Sequence, residues 1–310
     1  MNDQMADQRR ILLVGARGQV GQEIAKALAQ RPALGAVTLL DRQSLDLTDL
    51  AAIAHTITAL QPSLIINAAA YTAVDKAESE PELAYRINAE APKALAQSAA
   101  ACGAALIHIS TDYVFAGTAG SPRTEADATE PVSVYGKTKL AGEAAIRQVL
   151  KDHIILRTAW VYGAQGKGNF LKTMLRLGKE RDELSVVSDQ IGSPTWAKDI
   201  AEILVQLSAG LSEDADNFTT EVSGTYHFTN SGVASWYDFA LAIFEEAKKQ
   251  GIPLKVRTVN PIATADYPTP ATRPAYSVLN CQKIAKTLGH SAPYWRDSLR
   301  IMLTGYLKDF

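Results

Sequence analysis

Four apolar residues, Ile11-Leu12-Leu13-Val14, run straight into Gly15-Ala16-Arg17-Gly18-Gln19-Val20-Gly21. An unbroken apolar run of this length reads as a strand covered on both faces, which demands helices on either side of a sheet. The three glycines then open a helical pattern carried by Ile24 and Leu28 and ending near Gln30. Strand, glycine turn and helix in immediate succession start a parallel βαβ unit. Such a turn brings backbone N–H groups and a helix N-terminus to one point, where the pyrophosphate of a dinucleotide binds. The spacing is GxxGxxG rather than GxGxxG, so the flanking elements carry the reading more than the pattern does. Gly15, Arg17, Gly18, Gln19, Val20 and Gly21 are the candidate cofactor contacts here.

The alternation continues. Further buried strands are expected over 37–40, 64–66, 104–109 and 154–156, with helices over 74–102 and 135–150. Asp41 stands at the end of the second strand, where an acid receives the adenosine ribose 2′-OH of NAD. Arg42 and Arg17 lie close by and suit the 2′-phosphate of NADP instead, so the residues leave NADPH and NADH both open. Asp46-Leu47 precedes a helix; it fits an adenine contact and a simple N-cap equally well. Ala68-Ala69-Ala70 ends the third strand with side chains small enough for a cofactor to lie against the backbone. Asn88 falls inside a helical stretch, either exposed or bonded to a neighbouring backbone.

Past residue 160 the pattern changes. Helices are expected over 169–181, 196–207, 235–250, 281–288 and 294–308, and short strands over 184–187 and 225–228. Residues 1–9 read as a disordered polar tail, 208–222 as a polar surface loop, and 261–274 as a proline-rich segment without regular structure. The expected fold is α/β, a doubly wound parallel sheet of Rossmann type with a smaller C-terminal substrate-binding lobe. The dinucleotide-binding domain would take 10–160 and also receive 196–230; the lobe would take 161–195 and 231–310.

Several function classes drop out. The 310 residues carry a formal charge of −2, with both signs interspersed, so neither nucleic acid nor a membrane surface is an expected partner. No apolar run approaches the roughly 18 residues of a membrane span, and the start of the chain has no signal-peptide core, so a cytoplasmic protein is expected. The two cysteines, Cys102 and Cys281, have no CxxC spacing and read as reduced thiols. The five histidines form no metal-ligand pattern, and no P-loop lysine follows the glycine turn.

The chemistry concentrates between Ser110 and Lys139. Ser110-Thr111-Asp112 closes one strand, and Tyr135-Gly136-Lys137-Thr138-Lys139 opens the next helix. At about 100° per residue, Lys139 returns to the face of Tyr135. A phenol with a free pKa of about 10 beside an ammonium is a tuned proton donor or acceptor for a carbonyl or alcohol. Thr111 adds a hydroxyl for the reacting oxygen. A Tyr-x-x-x-Lys pair alone describes a helix surface far more readily than a site, so its context carries the reading, and Trp160, by its residue type, equally describes a core position.

Together, GxxGxxG, Ser-Thr-Asp at a strand end and YxxxK resemble the extended short-chain dehydrogenase/reductase superfamily. Residues 67–81, 110–115, 134–143 and 267–270 are similar to the dTDP-4-dehydrorhamnose reductase family within it. The resemblance implies reduction of a nucleotide-sugar C4 ketone by NADPH or NADH. It implies Tyr135 as proton donor, Lys139 as the residue that tunes Tyr135 and binds the nicotinamide ribose, and Thr111, Asp112 and Trp160 as substrate contacts. A 4,6-dehydratase of the superfamily carries Asp-Glu after the Thr; here the pair is Asp112-Tyr113, which removes the second carboxylate. Another nucleotide-sugar reductase or epimerase, and a non-catalytic regulatory subunit, are the alternatives the resemblance leaves. Some family members are described as Mg²⁺-bridged dimers; the two positions concerned hold Lys198 and Gly305 here, so no metal is expected. A monomer, or a homodimer formed otherwise, is the expected state.

Overall fold

The computed structural model describes residues 9–210 and 222–306. The first half alternates β1 (Arg10–Val14), α1 (Gln19–Ala29), β2 (Ala36–Leu40), α2 (Leu50–Leu60) and β3 (Leu64–Asn67). Three helices, α3 (Val74–Ala77), α4 (Pro81–Tyr85) and α5 (Ala91–Cys102), lead to β4 (Ala105–Thr111), α6 (Val134–Val149) and β5 (His153–Thr158). A π-helical turn, Arg86–Glu90, joins α4 to α5. Then come β6 (Val161–Tyr162), α7 (Phe170–Glu180), β7 (Glu183–Val187), β8 (Ile191–Gly192), β9 (Thr195–Trp196) and α8 (Ala197–Gly210). The chain closes with β10 (Gly224–His227), β11 (Ala234–Ser235), α9 (Trp236–Lys249), β12 (Thr258–Ile262), α10 (Gln282–Leu288) and α11 (Trp295–Tyr306).

Among the described residues the central sheet has six strands, all parallel, in the order β10-β5-β4-β3-β1-β2. The order reverses at β1, so the chain winds outward in both directions from that strand. In open α/β sheets, ligands bind at the carboxyl ends of the strands flanking this reversal. Burial explains why the strands are apolar throughout. Ile11, Leu13, Ile66, Ile107, Ile154 and Leu156 pack against α1 and α8 on one face, while Leu12, Ile65, Leu106 and Ile155 pack against α2 and α5 on the other. Each such side chain contributes about 1.5–3 kcal/mol on leaving water.

A separate apolar cluster holds the lobe, built from Tyr162, Leu171, Leu175, Phe239, Ile243, Trp295 and Leu299. Helix α10 lies in the segment assigned to the lobe by sequence, yet its Ile284 packs with Tyr226 and Phe228 on the sheet side. The proline-rich stretch also departs from expectation. Pro261 sits inside β12, which pairs in parallel with β7 in a two-stranded sheet. Both are edge strands, where proline's missing N–H costs no ladder bond. The polar loop expected over 208–222 begins as helix to Gly210, and its remainder over 211–221 lies outside the described residues, as do the tail over 1–8 and the chain end over 307–310.

Candidate active site

The carboxyl ends of β1, β3, β4 and β5 form one edge, and the candidate residues gather along it. Gly15 takes φ +82°, and a Cβ there would fall 2.7 Å from the Ala69 nitrogen, so only glycine lets the turn lie against the end of β3. Helix α1 starts at Gly18 with no side-chain cap and no acid in its first turn. Its first N–H groups therefore stay available to an anion. A pyrophosphate fits this cradle. Ala68, Ala69 and Ala70 line it half-buried, as their small size suggests.

Arg17 and Asp41 meet here, with Arg17 Nε 2.6 Å from Asp41 Oδ2. Asp41 Oδ1 accepts from the backbone N–H groups of Gln43 and Ser44, and these bonds hold its carboxyl below the usual range. Arg42 is exposed. Asp46 is not the N-cap of α2. Asp49 is, accepting from the Ala52 N–H, while Asp46 closes its own turn onto Thr48. Leu47 turns its side chain into the core, leaving only its backbone to face a cofactor, while Val20 is half-buried against the core. Gln19 spends its side chain elsewhere: Nε2 donates to the Val161 carbonyl and Oε1 accepts from Asn169, whose own oxygen caps α7.

At the end of β4, Thr111 caps a 3₁₀ turn by accepting from the Tyr113 N–H and donating to Asp112 Oδ1 at 3.0 Å. Helix α6 lands directly on that turn, because a Cβ on Gly136 would sit 2.2 Å from the Tyr113 carbonyl oxygen. This contact brings Tyr135 beside Thr111, with its ring edge-on to Tyr113 at 5.5 Å. Burial raises the Tyr135 phenol to about 12 against a hydrogen bond with Thr111, and Asp112 adds to the rise. Lys139 does not lower it as expected. Its Nζ is fully buried and donates to the Ile109 carbonyl at 2.7 Å, with His108 Nε2 at 3.1 Å. Burial brings Lys139 itself down to about 8, while Glu143 pulls the other way. Burial would raise the Glu143 carboxyl, but Arg157, Ser110 and Arg147 hold it low.

Asp112 is buried, and its Oδ2 has no hydrogen-bond partner among the described residues. Burial raises it from 3.8 to about 6, against the pull of the Ser277 and Thr111 hydroxyls. A raised folded pKa favours the protonated form, so the associated stability is complete below pH 3.8 and lost as pH climbs through 6. The shift corresponds to about 3 kcal/mol of strain above that point. Asp112→Asn should therefore raise the melting temperature by about 5 °C at pH 8 and by little at pH 4, while activity falls. Equal shifts at both pH values in a thermal melt would show that the charge is not the cause.

Trp160 follows β5 on the same edge and takes φ +49°, a strained conformation for a bulky residue. A backbone bond from Thr195 and a parallel stack on Trp236, with ring centroids 3.5 Å apart, hold it there. Asn88 is not exposed. From the π-turn it accepts from the Tyr71 N–H and donates to the Tyr71 carbonyl and to Thr138 on α6. Trp236, His108 and Asn88 are site neighbours that the sequence reading did not place. Only Asn88 left a signal, being poorly suited to a helix interior.

The magnesium positions do not fit the ion. Lys198 lays its ammonium over the Trp196 ring at 5.2 Å, and Gly305 has no side chain, so neither offers a carboxylate oxygen. Among the described residues no group of three or more His, Cys, Asp or Glu could hold a metal, and no helix is long and apolar enough to cross a membrane.

Comparison with known proteins gives consistent results. The family model described as RmlD substrate binding domain matches residues 9–307. The chain is 47% identical over 297 residues to dTDP-4-dehydrorhamnose reductase of Escherichia coli K12, covering 94% of this chain and 96% of that one. Among solved structures it is similar to dTDP-4-dehydrorhamnose reductase of Clostridium acetobutylicum, with TM-score 0.86 and 40% identity over 97% of this chain and 100% of the other. The enzyme of the same description from Bacillus anthracis, solved in complex with NADP, gives TM-score 0.87 and 36% identity over 96% and 99% of the two chains.

Proposed function

This chain belongs to the dTDP-4-dehydrorhamnose reductase family, and from that premise we propose that it reduces the C4 ketone of dTDP-4-dehydro-L-rhamnose to dTDP-L-rhamnose. NADPH or NADH supplies the hydride when bound. The Gly15–Gly21 turn and Ala68–Ala70 hold its pyrophosphate and ribose, Lys139 its second ribose, and Arg17, Asp41 and Arg42 the adenosine end. The burial of the Leu47 side chain limits it to backbone contacts, while half-buried Val20 keeps part of its side chain at the surface.

The observation that carries the reading is the buried Tyr135 phenol, raised to about 12 and so protonated at neutral pH, beside the Thr111 hydroxyl at the end of β4. A ketone oxygen gains negative charge as its carbon is reduced, and a positioned O–H donor stabilises that charge most at the transition state. Tyr135 gives its proton to that oxygen; the one Thr111 hydroxyl hydrogen goes to Asp112 Oδ1, so Thr111 becomes a second donor only by turning from that carboxylate to the ketone oxygen. Asp112 turns Thr111 toward the site, and Trp160 on its Trp236 support packs against the sugar. Position 113 is a tyrosine with its phenol raised far above the ordinary value by burial, so it supplies no base for an elimination. The test is NADPH or NADH oxidation followed with the dTDP-4-ketosugar; absence of oxidation with either cofactor overturns the proposal.

Cofactor choice follows from the Arg17–Asp41 pair. A 2′-phosphate has to meet Arg17 while Asp41 repels it. Asp41→Ala should therefore raise the NADPH-to-NADH ratio of kcat/KM, by about tenfold if about 1.4 kcal/mol of repulsion is relieved. An unchanged ratio would place Asp41 out of reach of the ribose.

A further inference from the structure

Beneath Tyr135 a chain of three buried polar side chains crosses the sheet: Asn67 on β3, His108 on β4 and Lys139 on α6. Asn67 Oδ1 accepts from the Ala69 N–H at 3.1 Å, which fixes the amide's orientation. Its Nδ2 is thereby turned to His108 Nδ1, 3.0 Å away. An amide nitrogen only donates, so Nδ1 must accept. Burial, the larger cause, drives the His108 pKa well below its ordinary value, so the ring is neutral with or without a charge on Lys139, and its one hydrogen sits on Nε2. That hydrogen points at Lys139 Nζ, 3.1 Å off. An ammonium has no lone pair to receive it.

We propose that Asn67 and His108 are positioning residues for Lys139: the amide fixes the Nε2–H tautomer of His108, and that N–H meets Lys139 as a free amine. The proposal deepens the reading above, resting on Lys139 as an active-site group. A free amine accepts from His108 while still donating to the Ile109 carbonyl at 2.7 Å, which leaves one N–H for a ligand oxygen. The charged groups packed around the pair are Glu143 on the helix of Lys139, bound by Arg157 and Arg147, and Asp112 beyond Tyr135. Burial places the Lys139 transition near 8, inside the range where such an exchange operates.

Charging Lys139 has a defined cost in this arrangement. The ammonium must part from His108, or His108 must invert its tautomer and the Asn67 amide must turn over. Turning the amide withdraws Oδ1 from the Ala69 N–H, a backbone donor beside Gly15 in the cofactor cradle. Along that second route the protonation of Lys139 is coupled to the hydrogen bonding of Ala69.

Long-range ¹H–¹⁵N spectra of the ligand-free chain labelled at histidine read the tautomer directly, with His108→Gln identifying the resonances. At pH 9 the wild-type His108 should be the neutral Nε2–H form; an Nδ1–H form overturns the proposal. In Asn67→Asp a carboxylate accepts from Nδ1–H, so the tautomer should invert and Nε2 should accept from an ammonium. The Lys139 titration, followed in ¹³C-lysine spectra, should then rise by about one pH unit or more, and the matching limb of the kcat/KM profile should move with it. A Lys139 transition unmoved by that substitution also overturns the proposal. The spectra use no turnover, so failure of the chain to reduce the ketosugar would count against the function and not against this relay.

Discussion

Tyr135→Phe should lower kcat by about 10²- to 10⁴-fold while leaving the affinity for NADPH nearly unchanged. The phenol is the proton source assigned to the proposed ketone oxygen, and burial raises it to about 12, so it is protonated at neutral pH. The ring itself packs on Tyr113, a contact that phenylalanine preserves. Loss of the hydroxyl therefore removes an interaction that matters in the transition state and little else, so kcat and kcat/KM should fall together. Single-turnover rates and a cofactor titration on the same preparation separate the two effects. A variant keeping more than about a tenth of the wild-type kcat would show that another group donates the proton.

Gly15→Ala should act on the other half of the reaction. A residue with a side chain at φ +82° pays about 1–2 kcal/mol for the left-handed backbone alone. The added methyl would also lie 2.7 Å from the Ala69 nitrogen and 2.9 Å from the Ala68 carbonyl carbon, both backbone atoms at a strand end. One side of the cradle must retreat. Dinucleotide affinity should fall by at least about tenfold, measured by fluorescence or calorimetric titration, with a lower melting temperature. Unchanged affinity would place the pyrophosphate away from this turn.

The features legible in the sequence are those whose physics is local. The run from Ile11 to Val14, the glycine turn and the i,i+4 placement of Tyr135 and Lys139 each depend on residues a few positions apart, and the structure places them accordingly. The strand ending in Thr111 was equally plain from its apolar run. What could not be read depends on partners distant in the chain. The i,i+4 spacing predicts that Lys139 lowers Tyr135, but the position of its Nζ is set by His108 and Ile109 across the sheet. Asn88 could be exposed or bonded to a backbone on sequence alone; the structure takes the second, and its three bonds, to Tyr71 and Thr138, form only when the π-turn packs on α6. Pro261 argued against a strand, and only its place on the edge of a two-stranded sheet makes one possible. Trp160 had no local mark of function; its stacking partner lies on a helix of the lobe.

The Gln19 side chain has a consequence for modular engineering. It rises from the first turn of α1 and grips the Val161 carbonyl and the Asn169 amide, two points where the lobe departs from the sheet. Cutting the chain after residue 160 to graft on a lobe with another sugar preference would leave this clasp split between two parents. A glutamine from one parent would then face a foreign residue at 169, and the graft would hinge where the native chain is pinned. Hybrid design should treat residue 19 as belonging to the lobe and exchange it along with residues 161–169, despite the 142 positions that separate it from Val161.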